Sequence, residues 1–206
     1  MTRSVTETNP IKRAPAVDGV LDIFHERWSP RSFSDRAVSK ADLKRIFEAA
    51  RWMPSSSNEQ PWRFIVGLKG TGTFEKIASS FGGFNQAWAP KAPVLILGTT
   101  RTRFAKNDAP NSYALFDLGS ATGAITLQAA ALGIATHQMA GFDQDVARKA
   151  LGIPEEYALG SVMAMGYVGD PSALPEKYAT METAPRSRKP LSEVAYSAWD
   201  EPADLG

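Results

Sequence analysis

Cysteine is absent from this 206-residue chain, and histidine occurs twice, as His25 and His137. The first absence excludes disulfides, thiolate zinc sites, iron–sulfur clusters and a cysteine nucleophile. With so few histidines, no metal site is expected. Charge of one sign is also lacking. The 23 basic side chains nearly cancel the 22 acidic ones, leaving +1, which argues against a general nucleic-acid partner. No apolar run reaches membrane-span length, since the longest, Ala92 to Leu97, is strand-sized. No membrane partner is therefore expected. The opening MTRSVTETNPIKR has no apolar stretch after its charges, so no secretory signal is expected and the cytoplasm is the default location. Several signatures are missing too. There is no P-loop, no H-E-x-x-H, no G-x-S-x-G, and no G-x-G-x-x-G after a strand.

The hydrophobic share of 43% and charged share of 22% are those of an ordinary globular protein, and the length suits one domain over 1–206. Residues 1–16 are polar and read as a loose N-terminal arm. Val20, Leu21 and Phe24 stand at helical spacing before Trp28-Ser29-Pro30-Arg31-Ser32-Phe33 breaks the pattern. Ser39 is placed to cap a helix whose apolar face is Leu43, Ile46, Phe47 and Ala50. Trp62 to Leu68, Pro93 to Thr99, Ile134 to Met139 and Leu159 to Val168 read as strands. Short helices are expected over Phe74 to Ser80 and Asp145 to Leu151, with a long, mostly apolar helix over Ser112 to Leu132. That helix is broken by Asp117 and Gln128, and reads as a core or dimer helix. From 170 onward, five prolines predict an extended C-terminal arm. Its spaced Leu191, Val194 and Trp199 suit another surface, such as a partner subunit. The class is α+β, a sheet flanked by helices.

Three polar clusters carry the chemistry. Arg27-Trp28-Ser29-Pro30-Arg31 holds two guanidinium forks and a hydroxyl within five residues, which suits phosphate oxygens. Pro54-Ser55-Ser56-Ser57-Asn58-Glu59-Gln60-Pro61-Trp62 sets hydroxyls and amides between two prolines, ahead of a strand. Such a loop presents donors to the edge of a polar heterocycle. Arg186-Ser187-Arg188-Lys189-Pro190 adds more cations. Each has a plainer reading: a solvated helix end, a helix-to-strand connection, a solvated basic patch. None supplies a general acid–base pair. Together they suit a bound phosphorylated heterocycle that carries the hard chemistry itself.

These residues resemble the nitroreductase family of flavoproteins. The opening Arg27-x-Ser29-x-Arg31-x-Phe33, the Pro54-Ser55-x-x-Asn58-x-Gln60-Pro61-Trp62 loop and the closing Arg186-x-Arg188-x-Pro190-Leu191 are similar to family motifs and occur in family order. Asn85-x-x-Trp88 and Met139-Ala140-Gly141-Phe142 match further segments. The resemblance implies a three-layer sandwich about a mostly antiparallel sheet, in a homodimer whose C-terminal arms reach across. It implies FMN at the subunit interface, NAD(P)H as electron donor, and a small aromatic or quinone-like substrate reduced by ping-pong turnover, with no obligatory catalytic side chain. By the same resemblance Arg27, Ser29, Arg186 and Arg188 hold the phosphate and ribityl chain. Arg31 faces the pyrimidine side of the ring. Pro54, Ser55, Ser56 and Asn58 approach from the second subunit, and Asn85 bonds the pyrimidine edge. Backbone N–H groups around Ala140 and Gly141 reach flavin N5. Trp28 and Met139 count with the cofactor-binding segments.

The sequence departs from the family at three places. Trp28 stands where many members have a basic residue, Ala140 where some have an acidic one, and Trp88 where some have lysine. Two other readings stay open: a specialised relative that cleaves flavin, dehalogenates or dehydrogenates, and a flavin-binding module without turnover. His137 is expected to be a packed, hydrogen-bonded core residue. Phe81, Phe84 and Trp88 line either a substrate channel or a satellite hydrophobic cluster.

Overall fold

The computed structural model describes residues 9–205. Four strands form one antiparallel sheet: β1 (Trp62–Leu68), β2 (Val94–Arg101), β3 (Ala135–Met139) and β4 (Tyr157–Gly166), in the order β1-β2-β4-β3. β2 and β4 are central, which explains the near-continuous apolar character of both. Their side chains alternate between two cores. Val94, Ile96, Met163 and Met165 face one side, and Leu95, Leu97, Val162 and Ala164 the other.

The first core lies under α2 (Lys40–Arg51) and α5 (Ala114–Ala131). Ser39 caps α2 as expected, its hydroxyl accepting the Asp42 N–H at 3.0 Å. Leu43, Ile46 and Ala50 turn inward, and Ile46 is fully buried, worth about 1.5–3 kcal/mol for a side chain of its size. The second core lies under α3 (Gly72–Ala78) and α6 (Gln144–Leu151), with Phe74, Ile77, Phe81 and Trp88 at its centre. Asp143 caps α6, and left-handed Gly152 ends it. The result is three layers, helices on both faces of an antiparallel sheet. No helix of the described residues is long and apolar enough to cross a membrane.

Two expectations for the chain ends need correction. The first eight residues of the anticipated loose arm lie outside the described residues, but the next few are not loose. Asn9 and Lys12 are buried, with the Asn9 amide donating to the Glu182 carbonyl at 2.7 Å. The Lys12 ammonium reaches the carbonyls of Met181 and Ala184 at 2.7 and 2.5 Å. The arm from 170 is likewise not extended throughout. A helix, α7 (Glu176–Thr183), interrupts it and sinks Glu182 into the protein. Its N-terminus follows Pro175, and Lys12 satisfies the carbonyls at its far end. Extended, exposed chain begins after α7. It carries a small hairpin of β5 (Tyr196–Ala198) and β6 (Glu201–Pro202), with Trp199 93% exposed at its turn.

Candidate functional site

A short helix, α1 (Asp22–Glu26), delivers the chain into the first arginine motif. The turn that follows is fastened along the end of β4. Ser34 donates its N–H to Tyr167, Gly169 donates to Ser32, and Phe33 bridges Val168. The close approach needs glycine at 169, because a Cβ there would lie 2.6 Å from the Phe33 carbonyl carbon. His137 on β3 fixes the turn from the other side, its Nδ1–H donating to the Pro30 carbonyl at 2.9 Å. Its ring lies 4.5 Å from Trp88, centroid to centroid. Burial, aided by the nearby Arg31 charge, pushes its pKa down to about 4, so it is neutral at pH 7. This is the packed histidine that was expected.

The first and third motifs meet. Arg186 donates one guanidinium nitrogen to the Arg27 carbonyl and another to the His25 carbonyl. Arg27 donates to the Ser29 hydroxyl at 3.1 Å. Burial lowers the pKa of Arg27, as does the charge of Arg188, and Arg186 is lowered by burial and by both neighbours. Among the described residues no carboxylate pairs with Arg27, Arg186 or Arg188. The buried Nε atoms of Arg27 and Arg186 also lack a hydrogen-bond acceptor. Beside them opens a cavity of about 360 Å³, walled by Phe24, Arg27, Ser29, Thr126, Thr136 and Gln138. Three guanidinium groups are gathered here against their own repulsion, and one of them, Arg27, stands on the wall of a ligand-sized cavity, an arrangement chemically suited to an anion.

Arg31 sits apart from that trio. Its guanidinium lies over the rings of Phe84 and Trp88, at 5.5 and 5.9 Å, and 3.5 Å from the Glu182 carboxylate. Trp88 is wholly buried, so it belongs to the core; Phe84, on the short helix α4 (Gly83–Gln86), is partly exposed. Asn85, on the same helix, donates to the Gly141 carbonyl at 2.9 Å. Phe81, Phe84, Asn85, Gly141 and Phe142 line a second cavity of about 470 Å³. Among the described residues, the Gly141 N–H donates to no backbone carbonyl. Trp28 and Met139 are core residues, each 4% exposed.

The middle motif stands elsewhere. Pro54, Ser55 and Ser56 share a cavity of about 260 Å³ with Tyr113, Phe116 and Asp117 at the start of α5. Among the described residues, no hydrogen bond or ion pair joins this loop to the arginine cluster. Ser57, Asn58 and Gln60 all adopt left-handed backbone, with φ of 53, 55 and 50°. Three such residues within four positions store strain of the kind found at ligand sites, about 1–3 kcal/mol each. Buried Asp117 holds the loop by accepting the Ser56 N–H at 3.1 Å. Sequence reasoning missed this role for Asp117, although a carboxylate inside an otherwise apolar helix was its signal. It also missed Glu182 and Lys12, for which no local signal exists.

The nitroreductase family model matches residues 25–81 and 68–167, which include the arginine turn, the serine-rich loop and the Asn85–Gly141 contact. The chain belongs to the nitroreductase family. Among its relatives, an Archaeoglobus fulgidus protein provisionally named NADH dehydrogenase/NAD(P)H nitroreductase is 34% identical over 154 residues, 73% of this chain and 86% of that one. A solved structure described as an oxidoreductase containing FMN is 32% identical and superposes with a TM-score of 0.84, covering 96% of this chain and 97% of its own. A nitroreductase family protein from Clostridium difficile 630 is 26% identical, with a TM-score of 0.64, covering 83% and 93%. The three-layer antiparallel architecture is thus the nitroreductase fold, and the chain is a nitroreductase-family oxidoreductase.

Proposed function

We propose that this nitroreductase-family chain binds FMN and passes hydride from NAD(P)H to electron-poor aromatics, such as nitroarenes or quinones, by a ping-pong mechanism in a homodimer. The observation that carries the reading is the uncompensated trio Arg27, Arg186 and Arg188 beside the Ser29 cavity. A phosphate monoester supplies the missing charge and acceptors, so the residues present fit FMN. The FMN named for the 32%-identical structure supports this, and the names of the relatives support the electron donor.

Bound FMN supplies hydride acceptance and donation in one group. The chain's own residues do the rest. Arg27, Arg188 and Ser29 would hold the phosphate end, while Arg186 braces the turn beneath them. Arg31 would place a cation by the pyrimidine side of the ring, where negative charge gathers on reduction. Asn85 holds the Gly141 carbonyl, and the backbone N–H groups of Gly141 and Ala140 would meet the ring. Phe84 and Phe142 give the substrate an apolar wall. No side chain acts as an obligatory acid, and water supplies protons.

The second subunit would bring Pro54, Ser55, Ser56 and Asn58 to the ring. Their place in a separate cavity from Arg27 and Ser29 within one subunit favours this. So does an open apolar cavity of about 520 Å³ between α1, α2 and α5, lined by Leu21, Phe24, Met53, Ala124, Leu127 and Ala131. The exposed tail carrying Leu191, Val194 and Trp199 would cover the partner. The cytoplasm, where NAD(P)H is plentiful, goes with this reading.

A visible absorption spectrum followed by anaerobic NADH or NADPH tests it. Flavin bands that bleach, then return on adding a quinone or nitroarene, are expected. Bands that persist with both donors refute the turnover and leave a flavin-binding module. Absence of flavin after reconstitution refutes the cofactor.

A further inference from the structure

We propose that Glu182 is a positioning residue, aiming the Arg31 guanidinium, offsetting part of its charge, and so holding down the reduction potential of the bound flavin. The inference rests on the FMN reading above. It starts from an expensive arrangement. Glu182 is wholly buried, and its carboxylate comes from a helix 151 residues along the chain from Arg31. One oxygen, Oε2, accepts the backbone N–H of Arg31 at 3.0 Å and that of Ser32 at 3.4 Å. The other, Oε1, has no hydrogen bond and faces the Arg31 guanidinium at 3.5 Å.

The two oxygens therefore do different things. Oε2 pins the turn, and a neutral amide oxygen would accept the same two N–H groups. Oε1 acts on the side chain, and there the negative charge matters. Burying an ionised carboxylate is costly, and a polar or apolar replacement for a buried ion pair is often no less stable. A fold that needed the turn pinned had no need of the charge. The charge has a reading in the surrounding electrostatics. Lys12 feels the charges of Arg31 and Arg186, and Glu182 is the carboxylate that acts on Lys12 and pairs with Arg31. Without it, Arg31 would present its full charge to the ring and strengthen binding of reduced, anionic flavin over oxidised flavin.

Glu182→Gln separates the two roles, since it keeps the acceptor for the turn and removes the charge. Reconstituted with FMN, it is expected to favour the reduced over the oxidised flavin about tenfold more than the wild type does. For a two-electron couple that is a rise of about 30 mV in midpoint potential. Placed in an Arg31→Gln background, the same substitution is expected to lose more than half of that rise. An unmoved or lowered potential in Glu182→Gln overturns the proposal. So does a rise that survives intact without Arg31, because Glu182 would then act directly. If Glu182→Gln does not fold, Arg31→Gln alone decides: a lowered potential supports the arrangement and an unchanged one overturns it. Wild-type protein that takes up no FMN overturns the function reading and this proposal together. FMN uptake with an unmoved potential overturns the Glu182 role alone.

Discussion

Arg186 and Arg188 stand two residues apart in one motif, yet their surroundings assign them different work, and alanine substitutions expose the difference. The Arg186 guanidinium is committed to the carbonyls of His25 and Arg27. Arg188 is exposed and, among the described residues, bonds only the carbonyl of adjacent Ser187, at 2.7 Å. Removing Arg188 therefore costs the flavin-free protein little. It should cost the complex a charge-assisted phosphate contact, about 1.5–3 kcal/mol, or roughly a 10- to 150-fold weaker Kd for FMN. Arg186→Ala strips the Arg27 carbonyl of its donor and takes one of two from the His25 carbonyl, which keeps the Ala14 N–H at 2.9 Å, while relieving repulsion from Arg27 and Arg188. Charged donors contribute about 1.5–3 kcal/mol each, and the relieved repulsion offsets part of it. The net loss is about 2 kcal/mol of folding stability, a fall in Tm of about 4–8 °C for a chain of this size. Thermal unfolding of the flavin-free proteins and quenching of FMN fluorescence on titration measure both quantities. Equal Tm losses in the two variants, or an unchanged FMN Kd in Arg188→Ala, would refute the division of labour.

Three further outcomes follow from specific contacts. Gly141→Ala places a Cβ 2.9 Å from the Asn85 amide. It should displace Asn85 and lower kcat/KM, while urea unfolding shifts by less than about 1 kcal/mol; unchanged turnover would remove this contact from the site. Gly166→Ala drives a Cβ to 2.5 Å from Pro93 and 3.2 Å from Phe33, and should cost about 1–3 kcal/mol through overpacking. Wild-type stability to urea would contradict that. His137 is held at a pKa of about 4 against an ordinary 6.5. The unfolded chain therefore binds the proton first, so this contribution is whole above pH 6.5 and is lost as pH falls toward 4. The loss is of order 3 kcal/mol. His137→Gln should flatten that part of the slope, and identical pH profiles in both proteins would rule it out.

Local rules made most of the scaffold legible. The hydroxyl of Ser39 and the Leu43–Ile46–Ala50 stripe announced α2, because capping and amphipathic spacing act within a few residues. Trp62–Leu68 was legible as a strand because its aromatic and β-branched residues fit a half-buried sheet. α7 was not, since Glu176–Thr183 lies among prolines and shows little amphipathic contrast. What holds it is remote: Lys12 at its last carbonyls, Glu182 under Arg31, and the Tyr178 hydroxyl on the Phe84 carbonyl at 3.1 Å. The arginines were conspicuous as residue types. That Arg186 spends its donors on backbone, and that the Trp28 side chain turns inward, are facts of tertiary packing.

The tie between α7 and the arginine turn also sets an order of events. The Glu182–Arg31 and Asn9–Glu182 contacts span 151 and 173 residues, almost the whole chain. The sheet and its helices close through shorter separations, such as the antiparallel pairing of β3 with β4 across the α6 connection. Closing the longest loop carries the largest chain-entropy cost and comes late. On the ribosome, the layered body can collapse while the last residues are still being made. The arginine turn stays unclamped until residue 182 and the arginines after it have emerged. On the proposed reading, cofactor capture would wait for those arginines.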